Sequence, residues 1–92
     1  RAVDLDLTGL KRSSVRLGRG GRCELQLPAP SLAEEHLVID AHKVPGGTEM
    51  TLTPLGEVRM GYRRLHGAVP LRHGDTFGVG DYEFQFLSDE GM

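Results

Sequence analysis

The strongest constraint on this chain is alternation: apolar and polar residues take turns in short runs along nearly its whole length. The first run puts Val3, Leu5 and Leu7 on one side of a strand, with polar residues between them. Strict alternation over four to eight residues is typical of a half-buried β-strand. Further runs of this kind cover residues 14–17, 25–27, 36–41, 49–53, 58–60, 69–71, 77–79 and 82–86.

Gly and Pro separate these runs. Turn signals stand at 18–21, 45–47, 54–56, 73–75 and 80–81, and single glycines at Gly61 and Gly67. Short strands at a spacing of roughly eight to twelve residues, divided by such turns, favour an all-β sandwich. The one helical candidate, residues 31–36, is a single turn at most, and we interpret it as a loop.

Length and charge narrow the class of protein. The 92 residues are enough for one core, so we expect a single domain, 1–92, and the start at Arg1 suggests that it belongs to a longer protein. A net charge of −2 argues against a nucleic-acid partner. The longest apolar run is three residues, so we expect no membrane contact by this segment. We expect a cytoplasmic location, with the chain standing alone or as part of a larger or membrane-associated protein.

Catalytic and metal-binding patterns are missing. None of the histidines falls into a zinc-ligand spacing, and Cys23 is the only cysteine. No serine lies in a G-x-S-x-G nucleophile elbow. The glycines around Arg19 match neither of the two nucleotide-binding patterns, G-x-x-x-x-G-K-[ST] and G-x-G-x-x-G. In addition, no helix follows them whose N-terminus could bind a phosphate. We therefore expect no catalytic residue, no metal, no cofactor and no enzyme activity.

Basic residues fall into two groups. Lys11, Arg12, Arg16, Arg19 and Arg22 form the first, and Arg59, Arg63 and Arg64 form the second. Two such loops side by side could bind an anion, because Arg forks suit phosphate and carboxylate. The alternative is an ordinary solvated surface balanced by nearby glutamates, and the sequence leaves both interpretations open.

Four segments together resemble the forkhead-associated (FHA) domain family. They span residues 15–19, 23–27, 31–39 and 56–86. In that family a Gly-Arg turn follows an early strand, a Ser-Arg-x-His segment leads into another strand, and a Gly-Asp turn precedes a later one. Here Gly18-Arg19, His36 and Gly74-Asp75 stand at those places in the same order. The resemblance covers nearly the whole chain.

The resemblance implies a β-sandwich of two twisted antiparallel sheets with about eleven strands. It also implies a protein or peptide partner, phosphorylated on threonine in the family, held by loops at one end. Arg19 matches an arginine that contacts the phosphopeptide, and His36 matches a histidine that organises the loop. We assign Gly18, Gly74 and Asp75 to the structural motif, with Asp75 bonding to nearby backbone amides.

The family's binding residues are only partly present. Ala33 and Glu34 stand where the family has a phosphate-binding Ser and its neighbouring Arg. Leu55 and Met60 stand at the two family asparagines, and the chain contains no asparagine at all. Ser31 could replace the missing serine in a reshaped loop, although five positions, not three, separate it from His36.

Two hypotheses follow. Losing two charged hydrogen bonds would cost about 3–6 kcal/mol, a hundred- to ten-thousand-fold in affinity. The first hypothesis is therefore an FHA-like interaction or assembly module without ordinary phosphothreonine dependence. The second is a phosphothreonine-peptide reader with a rearranged pocket made of Arg19, Ser31, Arg59, Arg63 and Arg64. Oligomeric state is not predicted.

Overall fold

The chain folds into β-strands joined by turns. A computed structural model describes residues 2–6 and 14–87, and no helix occurs in this part of the chain. The strands are β1 (Ala2–Asp6), β2 (Ser14–Gly18), β3 (Leu25–Gln26), β4 (Leu37–Val44), β5 (Gly47–Pro54), β6 (Arg59–Met60), β7 (Arg63–Arg64), β8 (Val69–Leu71), β9 (Thr76–Val79) and β10 (Tyr82–Leu87). The predicted loop at 31–36 is confirmed, as is the all-β class.

The strands form two five-stranded sheets. The first has the order β1-β10-β9-β6-β7 and the second the order β3-β2-β4-β5-β8. Inward-facing residues of both sheets and two loop residues, Leu32 and Val58, make one core. The sheet residues are Leu17, Leu37, Ile39, Leu52, Leu71, Phe77, Val79, Phe84 and Phe86. The rings of Phe77 and Phe84 stack with centroids 5.3 Å apart. The aromatic alternation of the last run is therefore a core pattern, as predicted.

Two details differ from the implied architecture. The described residues hold ten strands, fewer than eleven, and two pairings are parallel: β1 with β10 and β2 with β3. Alternation reports which face a residue occupies, and this period is the same for parallel and antiparallel strands. Strand direction therefore had to come from the tertiary structure. The predicted first run extends to positions 7 and 8, which lie outside the described residues.

The β4–β5 hairpin is longer than the alternation predicted. Its register runs from Leu37 paired with Pro54 to Val44 paired with Gly47. Pro45 and Gly46 close the turn, with Gly46 at φ 96°, a conformation that Pro followed by Gly favours. The outer half of the hairpin is exposed from residue 42 to residue 49, and these positions lack the apolar face on which the prediction depended.

Candidate functional site

One end of the sandwich brings together four connections, which we call the loop end. These are the β2–β3 loop (19–24), the β3–β4 loop (27–36), the β5–β6 loop (55–58) and the β9–β10 turn (80–81). The Arg19 and Gly20 amides donate to the carbonyls of Ala33 and Glu34, each at 2.9 Å. The first two loops are therefore joined backbone to backbone.

Gly18 permits this contact. A Cβ on Gly18 would collide with the Glu34 carbonyl oxygen and would lie 3.0 Å from the Ala33 carbonyl oxygen. Real side-chain carbons do not approach backbone oxygens this closely, so the position requires glycine. Gly18 thus sets the separation between the end of β2 and the β3–β4 loop.

His36 organises the β3–β4 loop from inside. It is buried, with 5% of its surface exposed. Its Nδ1 accepts a hydrogen bond from the Ala33 amide at 3.0 Å, and its Nε2 lies 2.8 Å from the Glu57 carbonyl oxygen. An acceptor at Nδ1 and a carbonyl at Nε2 fit the neutral tautomer with its proton on Nε2. The ring thereby links the β3–β4 loop to the β5–β6 loop.

The His36 ring packs against the backbone of Gly56. A Cβ there would lie 2.7 Å from His36 Cε1 and 2.9 Å from Nε2. The amides of Leu55 and Gly56 both donate to the His36 carbonyl at 2.9 Å. The imidazole therefore packs directly on the Gly56 backbone. Both this packing and the Nε2 hydrogen bond depend on the backbone conformation of residues 55–57.

Arg19 lies at the rim with its side chain exposed. Its Nε donates to the Leu32 carbonyl at 3.1 Å, which holds the guanidinium beside the β3–β4 loop. Its two terminal nitrogens have no bonding partner within residues 14–87. The group is therefore anchored at one nitrogen and can still bind an anion with the others.

The β3–β4 loop bonds to its neighbours through three successive carbonyls. Leu32 O accepts from Arg19 Nε, Ala33 O from the Arg19 amide, and Glu34 O from the Gly20 amide. Cys23 Sγ adds a hydrogen bond to Glu34 O at 3.0 Å. The Glu34 carboxylate is left exposed at the rim, where it contributes negative charge.

Cys23 is a buried free thiol. Burial raises its pKa, the nearby Glu35 carboxylate raises it further, and the Arg16 guanidinium opposes both. A thiol held in its protonated form is a poor nucleophile, because the thiolate is the reactive species. Cys23 is thus a packing residue that also donates a hydrogen bond.

Ser31 and Arg59 both lie against Gly80 in the β9–β10 turn. Arg59 Nη2 donates to the Gly80 carbonyl at 2.8 Å, and a Cβ on Gly80 would lie 3.1 Å from Ser31 Oγ. Arg59 also crosses Gly78, where a Cβ would lie 2.9 Å from Nη2. Ser31 precedes Leu32, whose carbonyl accepts from Arg19, so Ser31 lies between the Arg19 contact and the turn that Arg59 reaches.

Arg63 and Arg64 lie on the strand next to Arg59. They form β7, the edge strand of the first sheet among the described residues, and both are exposed. Their register pairs Arg64 with Arg59 and Arg63 with Met60. Arg59 and Arg64 are therefore direct cross-strand neighbours, whereas Arg19 and Ser31 lie in the β2–β3 and β3–β4 loops. That the five residues form one pocket stays a prediction.

Gly74 and Asp75 lie at the other end of β9, in the β8–β9 turn. The Asp75 Oδ2 atom accepts from the Arg72 amide at 2.8 Å, and the Asp75 amide donates to Arg72 O at 3.0 Å. The Gly74 amide donates to Phe86 O at 2.7 Å. These contacts are local turn bonds, and they give Asp75 a structural environment.

Glutamates neutralise part of the basic surface. Arg16 lies 3.7 Å from Glu24 and 3.4 Å from Glu35. Arg59 lies 3.8 Å from Glu57. These pairs match the balanced-surface interpretation for Arg16 and Arg59, whereas Arg19, Arg63 and Arg64 make no ion pair within residues 14–87. Lys11 and Arg12 lie outside the described residues.

No cluster of metal-ligating side chains is found within the described part of the chain. No three His, Cys, Asp or Glu side chains there come together as ligands, and no helix there is long and apolar enough to cross a membrane. A cleft of about 250 Å³ lies on the outer face of the first sheet above Gly78, between Arg59 and Glu83.

Sequence reasoning missed several contacts of the loop end. The sequence identifies Cys23 only as a cysteine without a disulfide partner, although its thiol bonds to the Glu34 carbonyl. It indicates Gly56 only as part of a turn, although its lack of a side chain makes room for His36. The signal for Gly56 was available in its place within the family's pattern. The Cys23 contact had no sequence signal.

A two-sheet β-sandwich with a Gly-Arg turn and a buried histidine joining its loops defines an interaction domain of the FHA class. The sequence profile of the FHA domain matches residues 15–80, well over half of the chain. This chain therefore belongs to the FHA domain family. FHA domains are typically non-catalytic protein-interaction modules that generally bind phosphopeptides.

Solved structures share this fold. EmbR from Mycobacterium tuberculosis, in complex with a low-affinity phosphopeptide, is 25% identical with a TM-score of 0.70, over 83% of this chain and 20% of that one. This chain thus spans a fifth of the EmbR chain. The MEK1 FHA domain with a phosphothreonine peptide of HOP1 is 20% identical with a TM-score of 0.67, over 75% and 74% of the two chains.

A third structure holds a protein partner. The FhaA FHA domain, complexed with the intracellular domain of a second protein, is 22% identical with a TM-score of 0.68, over 80% of this chain and 79% of that one. At these identities the last two matches show the fold alone. No curated protein gave a significant sequence match.

Proposed function

We propose that this FHA domain is a non-catalytic protein-interaction or assembly module that does not depend on phosphothreonine in the family's usual way. The observation that carries the proposal is the composition of the β3–β4 loop. Ala33 and Glu34 occupy the positions of the phosphate-binding Ser and its neighbouring Arg, and the Glu34 carboxylate is exposed at the rim.

The bonding of the loop supports the same conclusion. The Ala33 amide donates to His36 Nδ1, so this amide is already engaged. The Ala33 and Glu34 carbonyls accept from the β2–β3 loop. A dianionic phosphate at this rim would meet one anchored arginine and one carboxylate, where the family offers a serine and a second arginine. Like charges so placed repel, which lowers affinity further.

Calorimetric titration tests the proposal. The probe is a peptide library with a fixed central phosphothreonine, and the control is the same library without phosphate. We expect no phosphate-dependent binding in the micromolar range. Micromolar affinity that disappears on dephosphorylation, and again in Arg19→Ala, would overturn the proposal.

A gain-of-function variant gives a second, independent readout. Ala33→Ser combined with Glu34→Arg restores two family residues and reverses one charge. Two added charged hydrogen bonds contribute about 3–6 kcal/mol, so we expect phosphopeptide affinity to rise at least a hundredfold. The matched control is Glu35→Arg, which adds the same charge one position along the loop. An equal rise in the control would show that net charge alone, and not the family positions, limits binding.

A rearranged phosphothreonine pocket is the second candidate, and one observation favours it. Arg19 and Ser31 flank Leu32, with the terminal nitrogens of Arg19 unpaired within residues 14–87. In that case Ser31→Ala and Arg19→Ala would each weaken phosphopeptide binding about tenfold or more. Binding unaffected by Ser31→Ala would contradict the second candidate.

A further inference from the structure

β7 has a strand neighbour on one side only within the described residues. β6 lies on that side, and the order of the sheet ends at β7. The Leu65 amide donates to Val58 O at 2.8 Å, one step beyond the Arg59–Arg64 pair. In an antiparallel ladder, hydrogen-bonded and non-bonded pairs alternate. The amide and carbonyl of Arg64 therefore point away from β6, toward the open side.

The open side is positively charged. Arg63 and Arg64 are adjacent, both exposed, and neither forms an ion pair within residues 14–87. Because successive side chains of a strand point to opposite faces, the two arginines put positive charge on both faces of the edge. The whole chain has a net charge of −2, so this edge differs in sign from the molecule as a whole.

An exposed aromatic side chain stands next to these arginines. Tyr62 occupies the β6–β7 turn with its surface fully accessible, at 108% of the reference value. Tyr and Arg are the side chains most often found at the energetic centres of protein interfaces. A turn tyrosine beside two unpaired arginines is thus a compact set of anchoring groups.

Charge decides which strand can be added here. A second copy of the chain, paired edge to edge, would place Arg63 and Arg64 opposite the same two residues, and like charges directly opposite are unfavourable. An extended segment with Asp or Glu at two successive positions would instead meet an arginine on each face, because successive side chains of a strand point to opposite faces. It would also take up the open amide and carbonyl of Arg64.

We propose that the β7 edge binds an extended acidic peptide of a partner protein by strand addition. The main-chain bonds at Arg64 supply affinity, and Arg63, Arg64 and Tyr62 select the sequence. The inference rests on the proposed function in one respect, that the domain binds a protein partner. It assigns that partner's chemistry to a surface separate from Arg19 and Ser31.

The test begins with a displayed library of random, unphosphorylated twelve-residue peptides. We expect the selected sequences to be enriched in adjacent pairs of acidic residues, Asp or Glu, one for each face of the edge. Selection of peptides without such enrichment would overturn the proposal.

Variants then separate charge from backbone. Arg63→Ala with Arg64→Ala removes the cations and keeps the amides, and we expect at least tenfold weaker binding of the selected peptide. Arg63→Ala with Arg64→Pro removes the same two cations and also the outward amide, without breaking the β6–β7 ladder, since that amide does not bond to β6. We expect a further loss relative to the double alanine variant, because the peptide also loses a main-chain hydrogen bond. Arg72→Ala, an exposed arginine in the β8–β9 turn, is the control and should bind like the native chain. Equal binding by all four proteins would refute strand addition.

Amide hydrogen exchange reads the edge directly. Peptide binding should slow exchange at Arg64 in the native chain while leaving turn amides such as Gly46 unchanged. Failure to protect Arg64, or protection through dimerisation seen in sedimentation, would also refute the proposal.

Failure of this proposal can be distinguished from failure of the proposed function. Phosphate-dependent binding that is lost in Arg19→Ala would refute the proposed function, and the β7 variants would still show whether β7 binds an acidic peptide.

Discussion

The contact between His36 and Gly56 makes a prediction that a double-mutant cycle can measure. The His36 ring lies on the Gly56 backbone, with a hypothetical Gly56 Cβ 2.7 Å from Cε1 and 3.0 Å from Nδ1. Gly56→Ala would force the ring or the β5–β6 loop to move. His36→Ala would remove the ring and vacate the space that the new methyl group needs.

The magnitudes follow from the contacts. His36→Ala leaves the Ala33 amide and the Glu57 carbonyl without their partners, at about 1–3 kcal/mol each. We expect a loss of about 2–5 kcal/mol, because both residues are near solvent and water recovers part of the cost. Gly56→Ala overpacks the site, which should lower the free energy of unfolding by about 1–3 kcal/mol. The double variant should then cost about 1–3 kcal/mol less than the sum of the two, because the methyl enters the vacated space.

Urea denaturation followed by circular dichroism measures each free energy of unfolding. Gly21→Ala is the control, since a Cβ there meets nothing within 4 Å, and it should change stability by less than about 0.5 kcal/mol. Residues that do not interact give additive effects within about 0.5 kcal/mol. Additivity between His36→Ala and Gly56→Ala would therefore refute the packing argument.

Three further predictions concern single residues. Gly18→Ala should destabilise by about 3 kcal/mol or more, because its Cβ collides with a carbonyl, and a melting temperature equal to that of Gly21→Ala would contradict this. The Cys23 thiol should react with iodoacetamide far more slowly in the folded chain than in urea. Because its folded pKa is raised, stability should fall as pH rises above about 8.5, and Cys23→Ala should lose that decline. Asp75→Ala should cost about 1 kcal/mol by freeing the Arg72 amide, whereas an unchanged urea midpoint would show that the bond contributes nothing.

Much of the fold was predictable from local pattern. The alternation located most strands, and the turn residues located the breaks, since a period of two and the freedom of Gly and Pro are properties of a few adjacent residues. The ends of β4 and β5 were not predictable, because residues 42–49 are exposed on both faces and carry no apolar signal. Strand direction also needed tertiary structure, as the parallel pairings of β1 and β3 show.

The site was predictable as a set of positions but not as an arrangement. The motif order located Gly18, Arg19 and His36 on the loops that meet at the loop end. Which arginines lie together depends on strand register. Arg59 lies between Gly78 and Arg64 and reaches the Gly80 carbonyl, while Arg63 is one position further along β7.

By itself, then, the sequence determined an all-β sandwich of the FHA class with altered residues at the family's phosphate positions. The fold class and the altered phosphate positions could both be predicted, because each depends only on residue types in a fixed order along the chain. Only the tertiary structure decided that Arg59 lies beside Arg64 and reaches the Gly80 carbonyl, that the β3–β4 loop is bonded to the β2–β3 loop, and that β7 is an edge among the described residues. The physical reason is that pairing and charge neutralisation join residues tens of positions apart, where local patterning carries no information about distance.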